Sequence, residues 1–261
     1  MIIPEKIKKL IDSESFETDT VGKSDSSVFL FEDKVLKIRT ITQEAQNEVQ
    51  VMRWLEGKLP VPEVLACEES DGSSYLLMSR IPGAMACEPQ YMEQPAMLVK
   101  LLAQALKRLW SVDITDCPCN VSLENKLAQA EERVAKNMVD VEDAEPDTFG
   151  DNGFESPQAL LAWLKENQPM EEFVLIHGDY CLPNVFFDGE SLTGFIDLGR
   201  MGIGDKWCDI ALCYRSLCHN FEGRYGGKPY LGFVPQMLFE ELGIEPDWER
   251  LRYYILLDEL F

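Results

Sequence analysis

The 261-residue chain carries 46 acidic against 24 basic side chains, a formal net charge of −22, and its 46% hydrophobic content is that of an ordinary globular protein. Such a charge repels both phosphate backbones and anionic bilayer surfaces, so nucleic acid and membrane are excluded as partners. No apolar run approaches the ~18–20 residues that span a bilayer, and the first six residues meet charge too early for a signal-peptide core; the expected location is the cytoplasm, as a monomer or weak homodimer. The eight cysteines lack paired zinc spacing and fall partly in apolar stretches, which reads as buried reduced thiols.

Along the chain, residues 1–80 read as a mixed-sheet domain. Ser27–Phe31 and Lys34–Arg39 are predicted strands joined at Glu32-Asp33, followed by a helix over Gln43–Leu55 that Gly57, Pro60 and Pro62 close. Val61–Cys67 and Ser74–Ser79 are predicted as further strands around an Asp71-Gly72 turn. Pro82-Gly83 breaks the pattern at a hinge, and helices dominate beyond it. Leu98, Leu101, Leu102, Ala105, Leu106 and Leu109 form one apolar helix face. Residues 138–156 hold seven acids and no Lys or Arg, interrupted by Pro146, Gly150 and Gly153, which predicts a surface loop or broken helix.

The chemistry concentrates between Phe173 and Arg200. A strand over Phe173–Ile176 is expected to end in a polar loop holding His177, Asp179 and Asn184. Val185–Phe187 and Thr193–Ile196 flank the Asp188-Gly189-Glu190 turn and should pair as a hairpin, with Asn184 opposite Ile196 and so one step from Asp197. Opposed residues in such a ladder lie about 5 Å apart. Two oxygen donors placed side by side suit magnesium, which takes one or two protein ligands and completes its octahedron with phosphate oxygens and water. Asp179 is then the carboxylate that orients an incoming hydroxyl and accepts its proton, the remaining part that phosphoryl transfer needs. Singly, these acids would be read as turn caps; occurring together in one register, they select phosphotransfer.

HGDYCLPN, GFIDLGR, DKWCDIA and the terminal YYILLDELF, together with WLEGKLPVPEVL at 54–65, resemble the aminoglycoside 3′-phosphotransferases of the kinase-like superfamily. The resemblance covers essentially the whole chain. It implies an α+β, two-lobed protein-kinase-like fold, with a small β-rich nucleotide-binding lobe over 1–80 and a larger, mostly helical catalytic and aminoglycoside-binding lobe over 81–261. It assigns Lys37 to the α/β-phosphates, Glu48 to its ion pair, Ser24 to the phosphate loop, and the backbone at Ser79 and Ile81 to the base. Asn184 and Asp197 would hold Mg2+. The residues agree at Lys37, which alternates with apolar neighbours, and at Glu48, mid-helix beside Val49 and Met52. ATP is the expected donor; several relatives place an aromatic two residues before the lysine to stack on the base, and because this chain has Val35 there, GTP stands as the alternative.

On the acceptor side, a predicted helix over Leu251–Phe261 ends in Asp258, Glu259 and the Phe261 carboxylate. A helix C-terminus already carries roughly half a negative charge, so these groups read as frustrated until a cation arrives. The resemblance agrees, giving Asp258, Glu259 and Phe261 to the cationic aminoglycoside and placing Arg200 near acceptor and phosphate. Glu142, Asp143, Glu145 and Asp147 of the acidic loop are further candidates, while Asp205 and Asp209 are expected to brace the catalytic loop. The competing readings are a kinase of the same fold for another cationic small molecule and a non-catalytic polycation-binding pseudokinase.

Overall fold

Alternation and turn chemistry account for the first third of the chain in the computed structural model, which describes residues 3–11, 15–18, 26–151, 153–224 and 227–261. After a short helix α1 (Glu5–Leu10) come β1 (Glu17–Thr18), β2 (Ser27–Leu30) and β3 (Lys34–Thr40). Helix α2 (Gln43–Leu55) is N-capped by Thr42, whose hydroxyl accepts the Ala45 N–H at 3.1 Å. Strands β4 (Val64–Ser70) and β5 (Ser73–Ser79) then meet at Asp71-Gly72, both left-handed (φ 50° and 76°), the two-residue turn whose twist suits a hairpin. The antiparallel order is β1-β2-β3-β5-β4. Strand β4 starts at Val64 rather than the predicted Val61, because Pro60 and Pro62 offer no N–H to a ladder.

In β3 the two-residue period sends Leu36 and Ile38 into a core with Ile7, Phe31, Ala66, Tyr75 and Leu77. Lys37, between them, projects from the other face.

The remainder runs β6 (Ala84–Met85), α3 (Pro89–Met92), α4 (Pro95–Trp110), α5 (Leu123–Ala135), α6 (Pro157–Glu166), β7 (Phe173–Ile176), β8 (Val185–Asp188), β9 (Ser191–Phe195), β10 (Gly202–Asp205), α7 (Lys206–Glu222), α8 (Gln236–Leu242) and α9 (Trp248–Asp258). All six apolar residues predicted to share one face of α4 are buried. Between α5 and α6 the acidic segment is an irregular loop. Helix α9 starts earlier than predicted because Asp247 caps it, accepting the Arg250 N–H at 3.0 Å, and it ends at Asp258.

Two compact units result. One comprises Met1–Ala86 with Pro183–Met201, the other Cys87–Leu182 with Gly202–Phe261. Chain order alone places 183–201 with the larger lobe; strand pairing groups it with the first unit, since β6 pairs with β8 in the sheet β6-β8-β9. Gly83 makes that junction: its φ is +93°, and a Cβ there would lie 2.3 Å from the Phe187 carbonyl oxygen. The second unit is mostly helical around the antiparallel pair β10-β7.

All eight cysteines are free thiols. Burial pushes Cys87, Cys119 and Cys208 up to about 11, so they stay protonated at neutral pH. Among the described residues no helix is long and apolar enough to cross a membrane.

Candidate active site

The first unit builds its site on β3, α2 and the turn after β9. Lys37 donates to both Glu48 carboxylate oxygens, at 3.3 and 3.2 Å, and to Asp197 Oδ1 at 2.8 Å. Burial alone would pull the Lys37 pKa down, but Glu48 and then Asp197 outweigh it and the net shift is upward. The ammonium is therefore charged throughout the neutral range. Glu48 is only 1% exposed and also accepts from Arg39 Nη2 at 2.5 Å. A buried carboxylate is tolerated here because two cations share it.

The hairpin register places the remaining two oxygen donors. Ile196 donates its N–H to the Asn184 carbonyl at 3.0 Å, which sets Asn184 opposite Ile196 as the turn spacing predicts. Asn184 is buried, whereas the Asp197 side chain keeps 45% of its surface. Asp197 has left-handed backbone (φ 59°, ψ 56°), a conformation that costs a non-glycine residue about 1–2 kcal/mol. The turn that follows packs flush on α2: a Cβ at Gly199 would meet the Glu44 carbonyl oxygen at 3.0 Å. Arg200 Nε reaches Glu44 Oε1 at 3.2 Å.

In the second unit the loop after β7 is held from α7. Asp209, fully buried, accepts the His177 N–H at 2.7 Å and the Gly178 N–H at 2.9 Å. Its burial pushes the carboxyl up to about 6, against the pull of His177 and these two amides. Ser216 Oγ accepts the Leu182 N–H at 3.0 Å. Within the loop, Asp179 donates its N–H to His177 Nδ1 at 3.3 Å, and the Cys181 thiol donates to Asp179 Oδ1 at 3.1 Å.

The end of α9 lies in the same unit. Arg215 of α7 forms ion pairs with Asp258 and, at 3.1 Å, with Glu259. Arg133 Nε donates to the Leu260 main-chain oxygen at 2.8 Å, and its Nη2 to an oxygen of the Phe261 carboxylate at 2.6 Å. From the acidic loop, the Glu145 N–H donates to Glu259 Oε2 at 3.0 Å, while the Glu145 carboxylate meets His219 at 2.8 Å and Arg224 at 3.0 Å.

A lysine shared by two carboxylates, a hairpin carrying Asn and Asp at its open end, and an Asp loop cradled by a helix are the parts of a phosphotransferase. Residues 18–254 match the family model described as "Phosphotransferase enzyme family". The chain belongs to the phosphotransferase enzyme family. Aminoglycoside 3′-phosphotransferases of Enterococcus faecalis and Staphylococcus aureus are 40% and 39% identical to it, with alignments covering 100% of this chain and 99% of each relative. The solved structure of an aminoglycoside-3′-phosphotransferase of type VIII is similar, with a TM-score of 0.79 at 28% identity over 94% of both chains. The expected resemblance to the aminoglycoside 3′-phosphotransferases is borne out, and so is the kinase-like α+β fold.

Placed in this phosphotransferase, the predicted residues divide into clusters. Lys37, Glu48, Asn184, Asp197 and Arg200 lie in the first unit; Asp179, Asp258, Glu259 and Phe261 lie in the second. Ser24 lies outside the described residues. Ser79 donates its N–H to the Glu63 carbonyl at 2.9 Å and accepts the Glu63 N–H on its hydroxyl at 2.8 Å. Asp209 braces the loop as expected.

Asp205 does not share that work. It caps α7 through the Trp207 N–H at 3.2 Å and accepts the Tyr254 hydroxyl at 2.6 Å, because its place at the β10–α7 junction faces α9. The frustration expected at the end of α9 is also corrected, since Arg133 and Arg215 already supply cations there. Sequence reasoning missed both arginines, as well as Arg39 and Cys181. For Arg39 a signal existed: Lys37 and Arg39 share a strand face.

Proposed function

We propose that this phosphotransferase moves the γ-phosphoryl group of ATP onto the 3′-hydroxyl of aminoglycoside antibiotics and thereby confers resistance to them. The observation that carries the reading is Lys37 held jointly by Glu48 and Asp197. That arrangement fixes a buried cation where a triphosphate needs one without letting it collapse onto a single carboxylate. Full-length similarity to the 3′-phosphotransferases supports the acceptor class.

Within this reading residues 1–80 serve the nucleotide and 81–261 the acceptor and the chemistry. Lys37 compensates phosphate charge, with Ser24 and the hinge backbone at Ser79 and Ile81 contributing to nucleotide binding. The Asn184 and Asp197 oxygens are hard donors of the type magnesium prefers, and a pair of protein ligands is the usual complement for an ion that also takes phosphate oxygens and water. Bound there, the ion would supply charge neutralisation at the transferring phosphate. Asp179, its carboxylate oriented by the Cys181 thiol, accepts the proton of the attacking hydroxyl. Asp258, Glu259 and Phe261 receive the ammonium groups, with Arg200 near acceptor and phosphate, and the exposed Glu142, Asp143 and Asp147 line the approach. Protonated thiols and a need for ATP fit a cytoplasmic enzyme. The product exchanges a hydroxyl for a phosphate dianion and should bind ribosomal RNA poorly.

A coupled ADP-release assay tests this. Kanamycin and neomycin should turn over, and analogues lacking the 3′-hydroxyl should not. Turnover of a 3′-deoxy analogue without turnover of kanamycin would overturn the regiochemistry.

Acceptor affinity should also respond to pH through Glu259. Burial raises its carboxyl from 4.5 to about 7, against the pull of Arg215 and the Glu145 amide. Its contribution to folding stability is thus fully present below about 4.5 and lost as pH rises through about 7. The charge that attracts an ammonium appears over that same upper limb. The KM for kanamycin should therefore fall, by up to about tenfold, between pH 6 and 8, and Glu259→Gln should flatten the change. An identical pH profile in that variant would remove Glu259 from the acceptor site.

A further inference from the structure

We propose that Arg133 is a positioning residue of the acceptor site, acting on the aminoglycoside only through the main chain and the Phe261 carboxylate it holds. The proposal rests on the reading that Asp258, Glu259 and Phe261 receive the acceptor. Its basis is an anomaly of sign: Arg133, like Arg215, is a cation standing where a polycationic acceptor should be repelled by it.

The geometry gives that cation a different task. Arg133 occupies the last turn of α5, just before the acidic loop begins. Its guanidinium donates to the main-chain carbonyls of Met138 at 3.0 Å and Leu260 at 2.8 Å, and to an oxygen of the Phe261 carboxylate at 2.6 Å. The first belongs to the entrance of the acidic loop; the other two follow the end of α9. The guanidinium carbon also lies 5.7 Å from the Phe261 ring centroid, within cation–π range. One planar fork therefore fastens together two segments that both carry candidate acceptor carboxylates. A lysine could not replace it, because an ammonium lacks the rigid spread of donors.

A second tie joins the same two segments further along. The Glu145 N–H donates to Glu259, and the Glu145 carboxylate is anchored to His219 and Arg224. Arg215 fixes the Asp258 and Glu259 carboxylates from α7. The acceptor carboxylates are thus set by a frame in which Arg133 holds backbone and Arg215 holds side chains.

Steady-state kinetics of Arg133→Gln and Arg133→Lys, with kanamycin and ATP varied separately, distinguishes this from simple charge. Loss of charge-assisted hydrogen bonds to the segment should raise the kanamycin KM by about tenfold or more in both variants, with kcat and the ATP KM nearly unchanged. If Arg133 only repels the acceptor, Arg133→Gln lowers the kanamycin KM and Arg133→Lys leaves it alone. A purely structural role would lower the melting temperature and raise both KM values together. Either of these results overturns the proposal. Glu259→Gln serves as the separate control on the underlying reading. An unchanged kanamycin KM in that variant means the tail is not the acceptor site, and the proposal falls with it whatever the arginine variants do.

Discussion

Replacing Asp179 with alanine should lower kcat by at least about 10²-fold while leaving nucleotide affinity nearly intact. The carboxylate stands on a loop whose backbone is secured independently of its side chain, by Asp209 at His177 and Gly178 and by Ser216 at Leu182. Removing the side chain therefore should not unseat the loop. Asp179→Asn is the companion variant, since it keeps an oxygen for the Cys181 thiol and loses only the ability to take a proton. Single-turnover measurements would place the loss in the chemical step. Near-normal turnover in either variant would remove Asp179 from the base role.

A loss of similar or larger size is expected at Asp197. Asparagine suits the left-handed backbone there and keeps one oxygen, so Asp197→Asn tests charge rather than fold. Its removal takes away the exposed partner of Lys37 and one of the two proposed magnesium donors. The expected fall in kcat/KM is about 10²–10³-fold, the usual consequence of deleting one preorganised electrostatic contact at developing charge. Nucleotide titrations with and without Mg2+ give a second readout. In the wild-type protein the metal should tighten nucleotide binding, and in Asp197→Asn most of that tightening should vanish. Undiminished tightening would place the metal elsewhere.

What the sequence made visible was local. Asp71-Gly72 announced its hairpin, the leucines of α4 their buried face, and the spacing around Gly189 put Asn184 opposite Ile196. Each of these depends on residues within about a dozen positions of one another, where period and turn chemistry act directly. Glu48 was legible for the same reason, as a carboxylate on an otherwise buried helix face.

The misses were long-range or marginal. Arg133 meets residues 127 and 128 positions away, and Arg215 meets ones 43 and 44 positions away. No periodicity links such partners, so the end of α9 looked more exposed to self-repulsion than it is. Strand β6 has two residues, too few to show alternation, and with it the attachment of 183–201 to the first unit was hidden. Asp205 and Asp209 occupy one short motif, yet Asp205 is the N-cap just outside α7 and Asp209 lies within its first turn, so they meet different neighbours.

The two ties on the acidic loop share a property with consequences for how resistance changes over time. Arg133 grips the Met138 carbonyl, and Glu259 is gripped by the Glu145 amide. Backbone groups are the same in every amino acid, so these fastenings are indifferent to which side chains the rest of the loop displays. Glu142 and Asp147 are exposed, and neither side chain supplies one of these two fastenings. If the acidic loop borders the acceptor as proposed, selection by a new drug has a surface on which to experiment while the proposed Asp179 and Asp197 machinery stays fixed. Shifts in antibiotic spectrum should then accumulate at these two positions first.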